Sequence, residues 1–262
     1  MELPASFVDY TRSLLGEEEY EKLAVALQQE PPVSIRFNNE KWKMQDEGLS
    51  AVHSPFDPLF HAGCFYVQEA SSMFVEQALR QYIKEPAIML DLCAAPGGKS
   101  THARSVLPEG SLLVANEVIR NRSQVLAENL AKWGHPDVVV TNNDPADFSA
   151  LPSFFDVILT DVPCSGEGIL IYSTCTFNTK EDEENVRWIQ QEFGAELLPL
   201  EVREEWNITG NLLKDESTGT VHLEGIPVYH FFPHKTKGEG FFLAVLRKPC
   251  IETDENETKK AW

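Results

Sequence analysis

The sequence predicts an α/β fold: a doubly wound, mostly parallel, Rossmann-like sheet closed by an antiparallel hairpin and preceded by a small N-terminal α/β domain. Short apolar segments alternate with helical segments between residues 88 and 172, and this alternation is typical of βαβ units. An acidic residue follows each of four predicted strands, at the edge where such sheets bind ligands. The 262 residues are 42% hydrophobic, enough to form a core without disulfides or metals.

The N-terminal part is predicted to be small and mixed. In residues 4–30, apolar side chains recur at helical spacing on both sides of Gly16, which predicts two short helices. Residues 34–38 alternate like a strand, whereas residues 41–60 have no regular pattern. A helical segment at residues 69–82 then leads into the sheet. The predicted parts of the chain are an N-terminal domain at 1–60, a main domain at 61–249 and an acidic tail at 250–262.

Four apolar strands and two intervening helices predict the centre of the sheet. One helix follows a glycine-containing turn near residues 100–106, and the next is a longer amphipathic helix that Gly134 stops. The four strands are predicted at residues 88–91, 112–115, 138–140 and 157–159. The predicted apolar face of the longer helix consists of Val118, Val125, Leu126, Leu130 and Trp133.

The acidic residues that follow these strands are candidate ligand contacts. Each one alone is explained equally well as a helix N-cap or a turn residue. Four in succession, at the carboxyl ends of four strands, favour a binding site. They are Asp91, Glu117, Asp144 and Asp161.

The connection to the fifth strand, predicted at residues 169–172, is too short for this fold. A parallel crossover needs about a dozen residues, and fewer separate the two apolar segments. Either the two strands form an antiparallel hairpin, or a crossover segment is missing from the sequence. We predict a missing segment between Gly168 and Ile169, and an intact mass of 29.5 kDa would contradict that prediction.

The C-terminal part is predicted to complete the sheet. An acidic helix is expected at residues 181–193. Residues 226–232 and 240–246 flank a polar loop and predict a β-hairpin that closes the sheet.

Composition and charge limit the class of protein. Lys and Arg total 22 against 41 Asp and Glu, a formal charge of −19, which argues against a nucleic-acid ligand. The five cysteines include no C-x-x-C pair, and the seven histidines have no metal-ligand spacing, so neither a disulfide framework nor a metal site is expected. The sequence starts without a secretion signal and has no apolar membrane span. We expect a soluble, cytoplasmic protein with reduced thiols.

A glycine turn, DLCAAPGGKS at residues 91–100, follows the first strand of the sheet. A Walker A loop is poorly supported because Cys93 stands where that motif needs glycine, and no G-x-G-x-x-G dinucleotide fingerprint is present. A turn whose backbone approaches an adenosyl or amino-acid group fits best. Glu117 would then accept hydrogen bonds from ribose hydroxyls.

Two cysteines follow predicted strands at the ligand-binding edge: Cys164 after Pro163, and Cys175 after Thr174. One buried cysteine alone is usually a small apolar residue. Two at equivalent positions, beside an acid and several hydroxyls, favour nucleophilic chemistry.

These motifs resemble the Sun/Fmu family of RNA cytosine-5 methyltransferases, with the N-terminal part most similar to the bacterial small-subunit rRNA branch. The similarity covers roughly residues 30–248, and the paired PC and TC cysteines are its most specific element. Family members carry a helix between the two cysteine motifs, and many carry a C-terminal RNA-binding domain; we expect neither in this sequence. The matching segments are SIRFNN (34–39), YVQEASSM (66–73), DLCAAPGGKS (91–100), ANE (115–117), TDVPCSGEG (160–168), YSTCTFN (172–178) and FPHKTKGEGFFLA (232–244).

The resemblance implies a covalent mechanism. Cys175 would attack C6 of cytosine, Asp161 would stabilise the adduct at N3 and lie near the methionine end of S-adenosylmethionine, and Cys164 would assist loss of the C5 proton. Glu117 would hold the ribose and Asp144 the adenine amino group of the cofactor. The expected cofactor contacts are Cys93, Ala94, Ala95, Pro96, Gly97, Gly98, Lys99, Glu117, Arg122, Asp144 and Asp161.

The expected partner is RNA, either small-subunit rRNA or the assembling subunit, and a monomer is expected. A missing RNA-binding module, recognition of a ribosomal particle, or acidic residues of the 181–205 region facing away from RNA would reconcile this with the charge. Two other functions stay open: a non-catalytic RNA-binding assembly factor, and a methyltransferase for a non-RNA substrate. The former is disfavoured by the retention of both cysteines, and the latter leaves the second cysteine unexplained.

Several basic residues have two interpretations. Arg122 pairs with an acid near the cofactor or lies on a solvated helix face, and Lys99 contacts the cofactor carboxylate or simply begins its helix. The best basic and aromatic cluster for RNA is Arg36, Phe37, Lys41, Trp42 and Lys43. The residues that either contact RNA phosphates or form a polar hairpin tip are His234, Lys235 and Lys237.

Overall fold

A computed structural model describes residues 3–30, 32–41, 57–160, 168–213 and 226–248. Within these ranges the chain forms a central eight-stranded sheet with helices on both faces, together with a two-stranded sheet near the N-terminus. The predicted α/β class is confirmed.

The N-terminal elements begin with two helices, α1 (Ala5–Leu15) and α2 (Glu17–Ala26), as predicted. Strand β1 (Ile35–Phe37) is followed by a short helix, α3 (Pro58–His61), and by β2 (Phe65–Val67). Strand β2 is absent from the sequence prediction; it pairs antiparallel with β1. The predicted domain boundary at 60/61 therefore falls between two paired strands.

The central sheet has the order β5-β4-β3-β6-β7-β10-β8, and β9 pairs with β10. Strands β3 to β7 run parallel, and β10 is antiparallel to β7. Strands β9 and β10 form the hairpin that the sequence predicts. The strands are β3 (Ile88–Asp91), β4 (Leu112–Asn116), β5 (Val138–Thr141), β6 (Val157–Thr160), β7 (Ile169–Thr174), β8 (Glu196–Leu197), β9 (Val228–Phe231) and β10 (Phe241–Arg247).

Four helices flank this sheet: α4 (Val75–Tyr82), α5 (Gly98–Val106), α6 (Arg120–Trp133) and α7 (Glu183–Phe193). A 3₁₀ turn, Ser71–Phe74, precedes α4. None of the helices in the described ranges is long and apolar enough to cross a membrane.

The predicted apolar face of α6 is partly wrong. Val118 precedes the helix, and both Val118 and Val125 are about half exposed. Leu126, Leu130 and Trp133 are buried. The buried face of α6 is narrower than predicted because only Leu126, Leu130 and Trp133, which are spaced four and three residues apart, point to the sheet.

Both faces of the sheet are covered, which explains the nearly continuous apolar strands. On one face, β-strand residues such as Met89 and Val157 pack with Leu79 of α4 and Ala103 of α5. On the other face, the partners of the sheet include Val186 and Ile189 of α7, and Phe148 and Phe155 from the segment before β6.

Strands β6 and β7 pair parallel, with Val157 opposite Ile169. The antiparallel alternative for this join is therefore wrong. Gly168 has a φ of +129°, and a Cβ there would lie 2.2 Å from the carbonyl oxygen of Asp156. This close approach requires glycine and fixes Gly168 at the start of β7. Residues 161–167, which link the strands, lie outside the described residues.

Candidate active site

The carboxyl ends of the parallel strands bring the predicted site residues to one edge of the sheet. Asp91 ends β3, Glu117 directly follows β4, and Cys175 directly follows β7. Strand β7 lies two strands from β3, a spacing of about 10 Å. Asp161 and Cys164 lie outside the described residues.

The glycine turn between β3 and α5 is attached to the neighbouring strand. The amide of Ala94 donates to the carbonyl of Asn116, at 2.8 Å. Gly97 caps α5 with a φ of +110°, and a Cβ there would lie 3.2 Å from a methyl group of Leu126. Glycine therefore allows both the left-handed backbone and the close packing on α6. The amides at the start of α5 give this turn a partial positive charge.

Side chains from the N-terminal sheet and α6 hold the outer side of the turn. The carbonyl of Pro96 accepts hydrogen bonds from the Tyr66 hydroxyl at 3.2 Å and from the Asn129 amide at 2.8 Å. Arg36 donates to Thr101 Oγ1 at 2.6 Å, and its guanidinium lies 4.3 Å from the Trp133 ring centroid. The N-terminal sheet thus contacts the glycine turn and helix α5 directly.

Arg36 and Lys41, expected to contact RNA, face other parts of the protein. Burial lowers the pKa of Arg36 to about 10, so it stays charged at neutral pH among its partners. Lys41 donates to the carbonyls of Ala62 and Lys132. Trp42 and Lys43 lie outside the described residues.

Glu117 is buried beside the turn, with its side chain 3% exposed. One carboxylate oxygen accepts from the amide of Ile119 at 2.9 Å. The other lies 3.4 Å from a guanidinium nitrogen of Arg122, which also donates to the carbonyl of Ala95 at 2.8 Å. Glu117, Arg122 and the glycine turn therefore form one connected group, including the acid–base pair expected for Arg122.

Asn116 organises this edge, although sequence reasoning gave it no role. It is fully buried, and its amide group donates to the carbonyls of Leu92 and Asn143. Its side-chain oxygen accepts from Thr141 Oγ1 and from the amide of Asn143. The Asn116 side chain thus joins the ends of β3, β4 and β5. In the sequence, this role is indicated only by a polar residue at the last position of an apolar strand.

Asp91, Lys99 and Asp144 occupy different environments. The buried carboxylate of Asp91 accepts from Ser100 Oγ at 2.6 Å. Lys99 lies in the first turn of α5, with its ammonium 5.5 Å from the Phe241 ring centroid. Asp144 is exposed and caps a short 3₁₀ helix by accepting from the amide of Ala146. Asp144 is therefore the N-cap of this 3₁₀ helix.

Cys175 is exposed, whereas Thr174 before it is buried. None of the three described cysteines forms a disulfide. Thr174 Oγ1 accepts from the amide of Thr176 at 3.3 Å and donates to Asp182 at 2.5 Å. Thr179, further along the loop, contacts the hydroxyl of Tyr10 from α1. The thiol is thus presented to solvent by a loop that is held at several points.

A buried acidic cluster next to this loop was not predicted. Asp182 and Glu183 fall in the acidic helix predicted at residues 181–193, and both are buried at the start of α7. Glu183 accepts from His230 Nε2 at 2.8 Å and from the amide of Leu212 at 2.7 Å. Burial raises the pKa of Asp182 to about 8, and Glu183 and Glu181 add to the shift.

The basic residues of the β9–β10 connection bind the N-terminal helices. His234 Nε2 lies 3.0 Å and Lys235 Nζ 3.4 Å from the carboxylate of Glu19 in α2. The side chain of His234 is 4% exposed, so it does not offer a free surface to RNA phosphates. This contact is between residues far apart in sequence, which no local pattern reveals.

Comparisons with known proteins identify the family. The family model described as "16S rRNA methyltransferase RsmB/F" matches residues 78–170 and 166–247. This chain belongs to the RsmB/F family of 16S rRNA methyltransferases. The resemblance to a Sun/Fmu-type family is thereby confirmed, and family membership supports the expected cofactor, S-adenosylmethionine.

Relatives and solved structures agree with this assignment. Ribosomal RNA small subunit methyltransferase F of Pectobacterium atrosepticum is 30% identical over 313 residues, covering 94% of this chain and 63% of the relative. The protein of the same name from an Enterobacter species is 32% identical, covering 79% and 49%. This chain thus spans less than two thirds of these relatives.

Two solved structures share the fold. A methyltransferase homologue from Pyrococcus horikoshii has a TM-score of 0.75 and 26% identity, covering 94% of this chain and 96% of that one. NSun6 from Pyrococcus horikoshii, solved with SFG, has a TM-score of 0.74 and 19% identity, covering 94% and 98%.

The comparisons also bear on the short join before β7. The family match is split into two parts that meet at residues 166–170. The alignment to the Pectobacterium relative spans 313 residues, more than the 262 of the chain, so that relative has residues that this chain lacks. The missing segment between Gly168 and Ile169 stays a prediction, which intact mass or sequencing across the join would test.

The residues present fit the expected cofactor. The glycine turn offers backbone amides at a helix start, where a carboxylate binds favourably. Glu117 offers a carboxylate at the end of β4, the position that accepts ribose hydroxyls in doubly wound folds. Both features are joined by Arg122, which contacts Glu117 and the carbonyl of Ala95.

Proposed function

We propose that this protein transfers a methyl group from S-adenosylmethionine to C5 of a cytosine in small-subunit rRNA through a covalent adduct of Cys175. The observation that carries this proposal is the exposed Cys175 thiol at the same sheet edge as the glycine turn and Glu117. Membership of the RsmB/F family supplies the substrate class. The cytoplasmic location belongs to the same proposal.

The cofactor is assigned to the glycine turn and the end of β4. Residues 93–99 would enclose the methionine part, with Lys99 near its carboxylate. Glu117 would accept from the ribose hydroxyls, and Arg122, 3.4 Å away, orients that carboxylate. Asp144 would contact the adenine amino group. S-adenosylmethionine, when bound, supplies an electrophilic methyl group on a sulfonium sulfur.

The cysteine chemistry follows from the low reactivity of cytosine C5. A thiolate of Cys175 adds to C6, and the electron pair of the C5–C6 double bond becomes available at C5 to accept the methyl group. Loss of the C5 proton then restores the double bond and expels the thiolate. A covalent adduct thus replaces one difficult step by easier ones.

The roles of Asp161 and Cys164 come from the resemblance. Asp161, as a carboxylic acid, would hydrogen-bond to N3 or protonate it and so stabilise the negative charge of the adduct, and Cys164 would assist removal of the C5 proton. The target base must leave its stack to reach the thiol, which costs a few kcal/mol. Unstacking is easiest in a single-stranded rRNA segment or an assembling subunit.

A trapped adduct tests this proposal. Cys164→Ala and Cys175→Ala variants are incubated with S-adenosylmethionine and unmodified small-subunit rRNA or subunits, then run on a denaturing gel. A denaturant-resistant protein–RNA band with Cys164→Ala alone is expected, because that variant forms the adduct and cannot release it. The band with Cys175→Ala alone would exchange the two roles. Cofactor binding without any adduct would contradict the covalent mechanism.

A further inference from the structure

We propose that Asp182 is a positioning residue for Cys175, acting through the hydroxyl of Thr174. This inference rests on the proposed function of Cys175. Asp182 lies at the start of α7, on the far side of the loop that carries the thiol. It bonds to the residue that precedes the thiol and, through that residue's hydroxyl, is linked to the residue that follows.

The link runs through one hydroxyl group. Thr174 Oγ1 donates to a carboxyl oxygen of Asp182 at 2.5 Å. Thr174 Oγ1 also accepts from the amide of Thr176 at 3.3 Å. The chain before and after Cys175 is therefore attached to a single buried group. A hydroxyl that donates to one partner and accepts from another has a fixed orientation, and so fixes the loop.

Further hydrogen bonds close the loop at its base. The Tyr172 hydroxyl donates to the carbonyl of Glu181 and accepts from the amide group of Asn185 at 3.1 Å. Asn178 accepts from the amides of both Glu181 and Asp182, at 2.8 and 3.0 Å. These contacts bring the end of β7 and the start of α7 together, with the Asp182 side chain against Thr174.

The hydrogen bonding of Asp182 favours a positioning role over a stabilising one. Its side chain is fully buried, and one carboxyl oxygen has no hydrogen-bond partner. A buried carboxyl that makes so few hydrogen bonds lowers stability. Its retention is explained if orienting Thr174 is what this group contributes.

The neighbouring Glu183 differs in its partners. Its carboxylate binds His230 and the amide of Leu212, and so connects α7 to β9 and to the segment before it. Both partners are buried. Glu183 therefore provides a control: a buried carboxyl one residue away that, like Asp182, has one oxygen without a hydrogen-bond partner, and that bonds to His230 and Leu212 instead of Thr174.

The cluster also has the donor set of a metal site, since Asp182, Glu183 and His230 offer ligand atoms within 4.8 Å of one another. A bound cation would hold Asp182 by coordination instead of leaving it to Thr174. The hydrogen bonds of Glu183 to His230 and Leu212 favour the arrangement without a cation, because they already use one carboxylate oxygen.

The test compares Asp182→Ala, Asp182→Asn, Thr174→Val and Glu183→Gln in the full chain. Amide hydrogen exchange of residues 175–181 and steady-state methyl transfer to small-subunit rRNA are measured for each variant that remains folded. Asp182→Ala and Thr174→Val should accelerate exchange in this loop by about tenfold, the effect of one lost hydrogen bond, without a matching change elsewhere. They should lower kcat by about tenfold and leave KM for RNA unchanged.

Two variants separate positioning from stability. Asp182→Asn keeps an oxygen that accepts from Thr174 and should behave like the wild type in both measurements. Glu183→Gln should lower the melting temperature without a selective change in the loop. Equal loop exchange and equal kcat in Asp182→Ala and Glu183→Gln would overturn the proposal, as would a stoichiometric divalent metal in the purified protein that Asp182→Asn removes. Loop exchange that responds as expected in a protein without methyl transfer would refute the proposed function alone.

Discussion

The glycine turn (residues 91–100) and the loop that carries Cys175 (residues 175–181, the cysteine loop) lie at the same sheet edge but are held in different ways. The turn is fixed mainly by neighbours within successive βα units: Asn116, Leu126 and Asn129 all follow it within a short stretch of chain. The cysteine loop depends on distant segments, because Tyr10 of α1 contacts Thr179. The cofactor side of the site is thus built mainly within successive βα units, with added contacts from Arg36 and Tyr66, whereas the nucleophile side depends on α1, which is much further away in the sequence.

The largest expected effect distinguishes the cysteine loop from the glycine turn by their proposed roles in methyl transfer and cofactor binding. Cys175→Ala should reduce methyl transfer about a thousandfold, because Cys175 is the proposed nucleophile of the covalent step. Binding of S-adenosylmethionine, measured by calorimetry, should stay unchanged since Cys175 lies two strands from the glycine turn. Glu117→Ala, by contrast, should weaken the binding of S-adenosylmethionine. A loss of cofactor binding in Cys175→Ala would show that the two regions are not independent.

Asn116→Ala should be the most destabilising change on the cofactor side. It removes four hydrogen bonds of a fully buried side chain, at a cost of about 3 kcal/mol. Thermal or urea unfolding measures this loss, and cofactor affinity should fall with it. Asn143→Ala, which leaves the Asn116 side chain in place, is the control. Unaltered stability of Asn116→Ala would contradict the role given to this residue.

A pH series sharpens the comparison on the cysteine side. The pKa of Asp182 is raised to about 8, chiefly by burial. A raised carboxyl pKa stabilises the fold fully below the ordinary pKa of Asp, and this contribution is lost as pH rises toward 8. Asp182→Asn cannot ionise, so its stability relative to the wild type should increase by about 2 kcal/mol between pH 6 and pH 8. A constant difference in urea unfolding across this range would contradict the raised pKa.

The smallest effect tests the long-range contact. Tyr10→Phe removes the hydroxyl that binds the amide and the side chain of Thr179 and should cost about 1 kcal/mol. Hydrogen exchange in the cysteine loop should rise, while exchange in the glycine turn stays the same. Tyr20→Phe, in the other N-terminal helix, is a control outside this contact. Equal responses of the loop and the turn would remove the distinction between them.

The sequence predicted what local patterns determine. The order of strands and helices, the closing hairpin and the placement of Asp91 and Glu117 at the sheet edge follow from periodicity and turn residues. The glycine turn and Cys175 were recognised because motifs occupy contiguous positions. Their roles stay predictions until the variants are measured.

The rest depends on contacts between distant segments. Strand β2 is too short for its pattern to stand out, and its pairing with β1 decides that it is a strand. Asp182 and Glu183 look like an ordinary acidic helix start, since only His230 and Thr174, from other strands, reveal that they are buried. His234 and Lys235 resemble a basic tip until α2 places Glu19 against them.

Gly168 gives the cysteine loop an anchor that does not depend on the length of the connection before it. Its backbone packs against Asp156, and the amide of Ile169 donates to the Asp156 carbonyl at 2.9 Å. Six residue pairs with β10 then fix the remainder of β7. The alignment of β7 is therefore set by its neighbours, and a longer linker would add little closure entropy. Cys175 would therefore lie at the same position at the sheet edge whether or not a helix is inserted before β7.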